Sequence, residues 1–323
     1  MTRREIISAH KVNNFMFCPH SYHLDKQIPA EIQKSLPITA LTAVLFWLDN
    51  AFYGTKSGLI RPEDTNSEHI TLADHIRYKS PDSFANFEFG LWKKWVIDEN
   101  GFVRNRPVVW DYKNQWWKAA DVIKNACRNY YQFILENGLP NIPTLEINEE
   151  DVFSFNNRKY AVNLGELRKD MRIDDFGLRK INPNQSDKDW KITLKILAFC
   201  TLTKESEVHR SKLGLEELAK ELESENKYVS NNVTYVYHDL ARSETYQTTR
   251  TDSDVNIMIK EIQQTWTAII SSYKQKRFVP NHNNCDVCKY NVKYNGEVVC
   301  KERNPNKLLL MPQEYFKNNK TKN

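Results

Sequence analysis

Glycine is scarce in this chain, with only 9 occurrences in 323 residues. Neither glycine-rich phosphate-binding pattern, GxGxxG or GxxxxGK(S/T), is present, which argues against nucleotide binding through such a loop. The sequence also has no apolar run of about 18 residues, the length that spans a bilayer. The opening MTRREIISAH lacks the apolar core of a signal peptide. We therefore expect an intracellular, cytoplasmic protein with no membrane partner.

The charge and the cysteine content narrow the functional classes further. The formal net charge is +5 and the pI is about 8.7, which permits a nucleic-acid partner without requiring one. Six cysteines in a reducing compartment indicate metal binding or buried thiols, because disulfides are rare there. Cys127 and Cys200 fall on the apolar faces of predicted helices, so we expect both to be buried thiols.

Hydrophobic periodicity predicts a mixed α/β chain. The predicted helices are 6–24, 38–53, 83–98, 115–136, 187–204, 213–226 and 254–277. The predicted strands are 144–147, 152–155, 160–167, 171–181 and 232–238. With no repeat or low-complexity linker, we expect a single domain over residues 1–323, with a mainly helical part at 1–140, an α/β core at 141–280 and a cysteine-bearing segment at 281–323.

Four of the cysteines have the spacing of a metal centre. Cys285 and Cys288 form a CxxC turn, and Cys300 follows after eleven residues that include the turn signal Asn295-Gly296. Cys18 stands before a proline, where a ligand can end a helix. Four thiolates suit a [4Fe–4S] cluster or, alternatively, a structural Zn²⁺. The competing interpretation is a CxxC redox pair, with Cys18 buried in a core.

The sequence around these cysteines resembles the iron–sulfur members of the PD-(D/E)XK nuclease superfamily, which include the C-terminal nuclease domain of AddB and the RecB-like exonucleases of CRISPR adaptation. In the opening ISAHKVNNFMFCPHSY, the matching residues are Ser8, Phe15, Cys18, Pro19 and Tyr22. Before the last three cysteines, Phe278-Val279-Pro280 matches the family's F-x-P. The separation of Cys288 and Cys300 is longer than usual for that family.

This resemblance implies a fold and a cofactor. The fold is a restriction-endonuclease-like α/β core with a helical N-terminal elaboration and a C-terminus stapled by a cluster. The cofactor is a [4Fe–4S] cluster held by Cys18, Cys285, Cys288 and Cys300, whose binding energy contributes to folding.

The catalytic motifs of the family match poorly. Active members hold Mg²⁺ or Mn²⁺ with acids from a GxxD strand and from the (D/E)xK strand that follows, whose lysine lies near the attacking water. Residues 165–168 place Arg168 at the first acid. Residues 178–184 place Lys180 at the second acid and Asn182 at the lysine. Cations there repel a divalent metal, so this register predicts an inactive nuclease.

A second register would keep activity. Arg172-Ile173-Asp174 resembles the RID of the family, and Asp189-Trp190-Lys191 is a literal D-x-K. This register predicts Asp174, Asp189 and Lys191 as catalytic residues and requires Mg²⁺ or Mn²⁺. Its weakness is that the run before Asp189 is polar, whereas a catalytic strand is entered through apolar residues.

Three functions follow as expectations. The favoured one is a catalytically inactive, nucleic-acid-binding subunit of a larger assembly. It would contact the phosphates of DNA through Arg168, Lys180, Lys191 and Lys195. The alternatives are an active metal-dependent DNA exonuclease or endonuclease and a purely structural scaffold for protein contacts.

Overall fold

The computed structural model describes residues 6–36, 38–39, 43–45, 47–48, 80–93, 102–103, 106–110, 115–138, 151–178 and 189–312. Its helices are α1 (Ala9–Phe17), α2 (Pro19–Gln27), α3 (Ala30–Ser35), α4 (Pro81–Trp92), α5 (Gln115–Asn137), α6 (Trp190–Glu205), α7 (Glu207–Leu213), α8 (Glu216–Ser224) and α9 (Asp252–Gln275). Its strands are β1 (Ile7–Ser8), β2 (Ile38–Thr39), β3 (Phe102–Val103), β4 (Arg106–Trp110), β5 (Asp151–Phe155), β6 (Arg158–Val162), β7 (Glu166–Arg168), β8 (Arg172–Gly177), β9 (Thr234–Asp239), β10 (Glu244–Thr248), β11 (Lys293–Tyr294), β12 (Glu297–Val298) and β13 (Met311–Pro312).

The chain packs as two compact units. The sheet unit consists of Met1–Asn13 and Gly138–Gln275, and the cysteine unit consists of Asn14–Asn137 and Lys276–Asn323. The predicted mixed α/β class is confirmed, because both units combine helices with sheets that contain parallel and antiparallel pairs.

The sheet unit is organised around four strands in the order β10-β9-β8-β7. Strands β8 and β9 are parallel, whereas β7 pairs with β8 and β10 pairs with β9 in the antiparallel sense. A parallel pair needs a long crossover connection, and α6, α7 and α8 lie within it. A second sheet, in the order β1-β6-β5, completes the unit.

Helix α6 is the central helix of the sheet unit. It packs against β5, β6 and β9 and against α7, α8 and α9. Eleven of its sixteen residues are buried, as expected of a helix covered on most sides. The carboxylate of Asp189 caps its first turn by accepting a hydrogen bond from the backbone N–H of Lys191, with an N···O distance of 2.8 Å.

The cysteine unit has its own helix pair and sheet. Helix α4 packs against α5, and β4 is bordered by β13 and β2, with β3 also paired to it. The expectation of a mainly helical part at 1–140 missed β2, β3 and β4. Two of these strands have two residues each, too few for an alternating pattern to be recognised.

Most predicted elements of the described chain are confirmed with shifted ends. The long helix predicted at 254–277 is α9, and its buried residues repeat at helical spacing: Val255, Met258, Ile262, Trp266 and Ile269. Tyr273, which continues this spacing, is 43% exposed in the last turn. The single helix predicted at 6–24 is β1, α1 and α2, interrupted at Cys18. The predicted strand 144–147 lies outside the described residues.

None of the described helices combines the length and the apolar character needed to cross a bilayer.

Candidate metal centre and buried carboxylate site

Cys18 lies at the junction of two helices. Helix α1 ends at Phe17 because Pro19 has no N–H with which to continue its hydrogen bonds, and Pro19 then occupies the first position of α2. Cys18 has extended backbone dihedrals, φ −164° and ψ 110°, and its sulfur accepts a hydrogen bond from the backbone N–H of Ser21. The sulfur therefore lies at the N-terminal end of α2, within reach of its first backbone N–H groups.

The other three cysteines are placed by short turns. Cys285 belongs to a 3-10 helix (His282–Val287), and the N–H of Cys288 donates to the Cys285 carbonyl at 3.3 Å. Asn295 and Gly296 both have positive φ, at 49° and 85°, as in a two-residue hairpin turn. The hairpin between β11 and β12 confirms the predicted turn, and it returns the chain so that the N–H of Cys300 donates to the Tyr290 carbonyl at 3.2 Å.

The four sulfurs share a buried environment with backbone donors. All four cysteines are at least nine-tenths buried. Ser21 (3.4 Å) and Asn281 (3.3 Å) donate backbone N–H groups to the sulfur of Cys18, and Asn304 (3.4 Å) donates to that of Cys285. Backbone hydrogen bonding at Tyr290 and Glu302 offsets part of the effect of burial on the pKa of Cys288 and Cys300. Hydrogen bonds to cysteine sulfur favour the thiolate and tune iron–sulfur centres. These donors are backbone groups, so residue types did not reveal them.

The thiols also interact with one another. Burial, followed by the neighbouring Cys288, raises the pKa of Cys300 to about 11, and Cys18 and Cys285 add to the effect. Burial likewise raises the pKa of Cys288, and Cys18 and Cys285 again contribute. The four cysteines are therefore close enough to affect the ionisation of Cys288 and Cys300. A bound metal cation would supply the positive charge that converts such thiols to thiolates.

The cysteine sulfurs are not gathered around a single ion. Within the described residues, no group of three or more His, Cys, Asp or Glu side chains is arranged to hold one metal ion. A structural zinc requires sulfur atoms about 3.8 Å apart, as follows from tetrahedral Zn–S bonds of about 2.3 Å. A [4Fe–4S] cluster separates its four thiolates further, because each one binds a different iron atom.

A buried carboxylate lies at the centre of the sheet unit. Asp174 on β8 is fully buried and faces Glu166 across the antiparallel β7–β8 pair. Arg168 forms an ion pair with Asp174, and its Nη2 lies 3.8 Å from Oε2 of Glu166. Arg172 Nε lies 3.2 Å from the Asp174 carboxylate, and His238 Nε2 lies 2.9 Å from its Oδ1.

These contacts decide the charge of Asp174. Burial alone would raise its pKa, but the hydrogen bond with His238 and the charges of Arg172, His238 and Arg168 outweigh burial and lower the pKa. Asp174 is therefore ionised and already neutralised by protein cations. Neither Glu166 nor His238 could be assigned to this site from sequence, because their positions in it depend on strand register.

The next residue, Asp175, belongs to a separate polar group. Side chains alternate along a strand, so Asp174 and Asp175 point to opposite faces of the sheet. Asp175 forms an ion pair with Lys195 of α6 and accepts a hydrogen bond from the Tyr235 hydroxyl at 2.8 Å. The predicted basic cluster is therefore divided, with Arg168 on one face and Lys195 on the other.

The remaining predicted residues have different surroundings. Asp189 is the N-cap of α6 and Lys191 lies in its first turn, so the D-x-K of the second register is at a helix start rather than on a strand. Lys180 and Asn182 lie outside the described residues. Cys127 and Cys200 are fully buried, as predicted, and burial raises the pKa of Cys200 to about 12.

Gly165 allows β7 and β8 to approach each other at the carboxylate site. Its φ is +85°, and a Cβ atom built on it would lie 2.6 Å from the backbone oxygen of Asp174. We expect Gly165→Ala to lower the free energy of unfolding by about 2 kcal/mol or more, because it adds both dihedral strain and a backbone clash. Denaturant unfolding measures this. Gly214→Ala is the control, since it has a similar φ of +66° and no atom within 4 Å of an added Cβ.

No family model, no curated protein and no solved structure matches the chain.

Proposed function

We propose that the chain is a catalytically inactive PD-(D/E)XK nuclease-like protein that holds a [4Fe–4S] cluster and acts as a nucleic-acid-binding subunit of a larger assembly. The observation that carries the proposal is that protein cations already pair with the ionised carboxylate of Asp174. A nuclease of this type needs acids that are available to a divalent metal. Here Arg168, Arg172 and His238 occupy the carboxylate.

The order of the strands supports the same proposal. Strand β7 begins directly after Gly165 and carries Arg168 three residues after that glycine, at the spacing of the GxxD motif, and β8 follows it as the antiparallel neighbour. Strand β8 then leads through α6 to the parallel strand β9. In this alignment Asp174 takes the acid position of the (D/E)xK strand, and Phe176 takes the position of the lysine. The catalytic set would retain a single acid and no lysine.

The cluster is the second part of the proposal. Its support is the set of four buried cysteines, two of whose sulfurs, those of Cys18 and Cys285, accept a backbone N–H. Four buried thiols of this kind suit a [4Fe–4S] cluster, in which each thiolate binds its own iron atom. The cluster would supply a cross-link between Cys18 and the C-terminal cysteines rather than redox chemistry on a substrate.

The third part of the proposal is nucleic-acid binding. It is supported more by the C-terminal residues 276–312 than by the basic residues predicted at the catalytic motifs. Arg168 and Lys195 are engaged in ion pairs. Residues 276–312 contain seven Lys and Arg against three Asp and Glu. Lys276, Arg277, Lys293 and Lys301 are exposed among them. Exposed cations of this kind bind phosphate groups by releasing counterions.

A nuclease assay with the full chain, purified anaerobically, tests the proposal. With Mg²⁺ or Mn²⁺ we expect single- and double-stranded DNA to stay intact. We also expect binding that weakens steeply with salt, and that weakens further when Lys293 and Lys301 are replaced by Glu. Degradation of DNA would contradict the loss of catalysis. Intact DNA with no salt-sensitive binding would favour the scaffold alternative. The ion pairs of Arg168 and Lys195 also support that alternative, because they occupy cations that would otherwise bind phosphates.

A further inference from the structure

Cys18 is far in sequence from the other three cysteines of the candidate centre. Cys18 is separated from Cys285 by 266 residues. Closing a chain segment of this length costs conformational entropy before any metal–sulfur bond forms. Contacts made by other side chains can reduce that cost by holding the ligands together in advance.

The carbonyl of Phe17 is the main point of attachment. In an uninterrupted helix the N–H of Ser21 would bond to this carbonyl, but Ser21 donates to the sulfur of Cys18 instead. Two asparagine side chains donate to the Phe17 carbonyl in place of the Ser21 N–H. Nδ2 of Asn284 donates to the Phe17 carbonyl at 2.6 Å, and Nδ2 of Asn281 donates to it at 3.1 Å.

Asn281 makes further contacts on both sides of the junction. Its backbone N–H donates to the sulfur of Cys18 at 3.3 Å, while its Oδ1 accepts the N–H of Asn283 and so caps the 3-10 helix that carries Cys285. One residue therefore connects the α1–α2 junction, a sulfur of the candidate centre and the turn of the CxxC motif.

A second attachment fixes the other side of the CxxC motif. Asp25 on α2 accepts a hydrogen bond from the Tyr290 hydroxyl and forms an ion pair with Lys289 at 2.5 Å. Cys288 and Tyr290 are buried together with Leu36 in one small core. All of these contacts are between protein groups, and none of them requires a metal.

We infer that Asn281 and Asn284 are positioning residues that assemble the cysteine ligand set before the cluster is loaded. The inference rests on the cluster part of the proposed function and adds how that cluster is acquired. The asparagine pair holds Cys18 against the turn that carries Cys285, so that iron and sulfide meet a nearly complete set of thiols. The loop-closure entropy is then offset by protein contacts rather than by the first metal–sulfur bonds.

Cluster reconstitution tests this inference. Apoprotein prepared anaerobically is mixed with Fe²⁺ and sulfide, and the visible charge-transfer absorption is followed for wild type, for Asn281→Ala/Asn284→Ala and for Asn283→Ala. Asn283 is the matched control because it is exposed in the same 3-10 helix. We expect the double variant to load its cluster about tenfold more slowly, since two amide hydrogen bonds are lost. Asn283→Ala should load at the wild-type rate.

The reduction potential of the loaded proteins is the second readout. The double variant frees the backbone N–H of Asn281 to move from Cys18, so we expect a more negative potential than in wild type, an effect that general destabilisation does not produce. If the double variant does not fold, Asn284→Ala provides the comparison, because it keeps Asn281 and should load at an intermediate rate. Equal rates in all variants would overturn the inference alone. Wild type that binds no iron would overturn the cluster itself.

Discussion

Replacing Cys285 by Ser is expected to bleach the brown colour of the anaerobically purified protein and to destabilise the whole cysteine unit. A serine hydroxyl is a poor iron ligand, and the loss of one of four thiolates leaves the cluster incompletely held. Because metal binding is coupled to folding, we expect the midpoint of thermal unfolding to fall by about 10 °C or more. Visible absorption, iron and sulfide content and a thermal melt measure these changes.

Cys127→Ser provides the control for this substitution. Cys127 is also a fully buried thiol of the cysteine unit, but it lies on α5, outside the group of four interacting cysteines. We expect it to keep its colour and its iron content. A Cys285→Ser variant that also keeps both would contradict the assignment of Cys285 as a ligand. A colourless wild-type protein with one zinc per chain would preserve the site and rule out iron.

The local structure around the cysteines could be predicted from sequence because it depends on residue types at fixed spacing. The CxxC motif, the Cys-Pro junction and the Asn295-Gly296 turn each have a local physical cause, and the structure places all three as expected. The sulfur-binding N–H groups could not be predicted, since any residue except proline can supply one. The hydrogen bonds from Asn281 and Asn284 to the Phe17 carbonyl were missed for a related reason, because they join segments that are distant in the sequence.

The carboxylate site was predicted less well, because it depends on strand ends and register. The favoured register placed the second acid position at Lys180, which lies outside the described residues, whereas β8 carries Asp174 opposite Glu166. A shift of one residue exchanges the faces of a strand. Neither Asp174 nor Asp175 could therefore be assigned to a face until the pairing with β7 and β9 was known. Arg168 lies on β7, the strand that begins directly after Gly165.

Asp174→Ala and Asp189→Ala are expected to differ strongly in their effect on stability. Removing Asp174 breaks the buried ion pair with Arg168, and breaking such a pair costs about 3–5 kcal/mol. Removing Asp189 takes away only a helix cap, which costs about 1 kcal/mol. Denaturant unfolding of both variants measures the difference. The double variant Asp174→Ala/Arg168→Leu should recover part of the loss, because it removes both charges together.

The same two variants decide between the registers of the nuclease motifs. If the chain is inactive, wild type and both variants leave DNA intact with Mg²⁺ or Mn²⁺, and they differ only in stability. If wild type degrades DNA and either substitution abolishes the activity in a protein that is still folded, then Asp174 and Asp189 are catalytic and the proposed loss of catalysis is wrong. The structure favours the first outcome, because the carboxylate of Asp174 is bound by Arg168, Arg172 and His238 and that of Asp189 is bound to the first turn of α6.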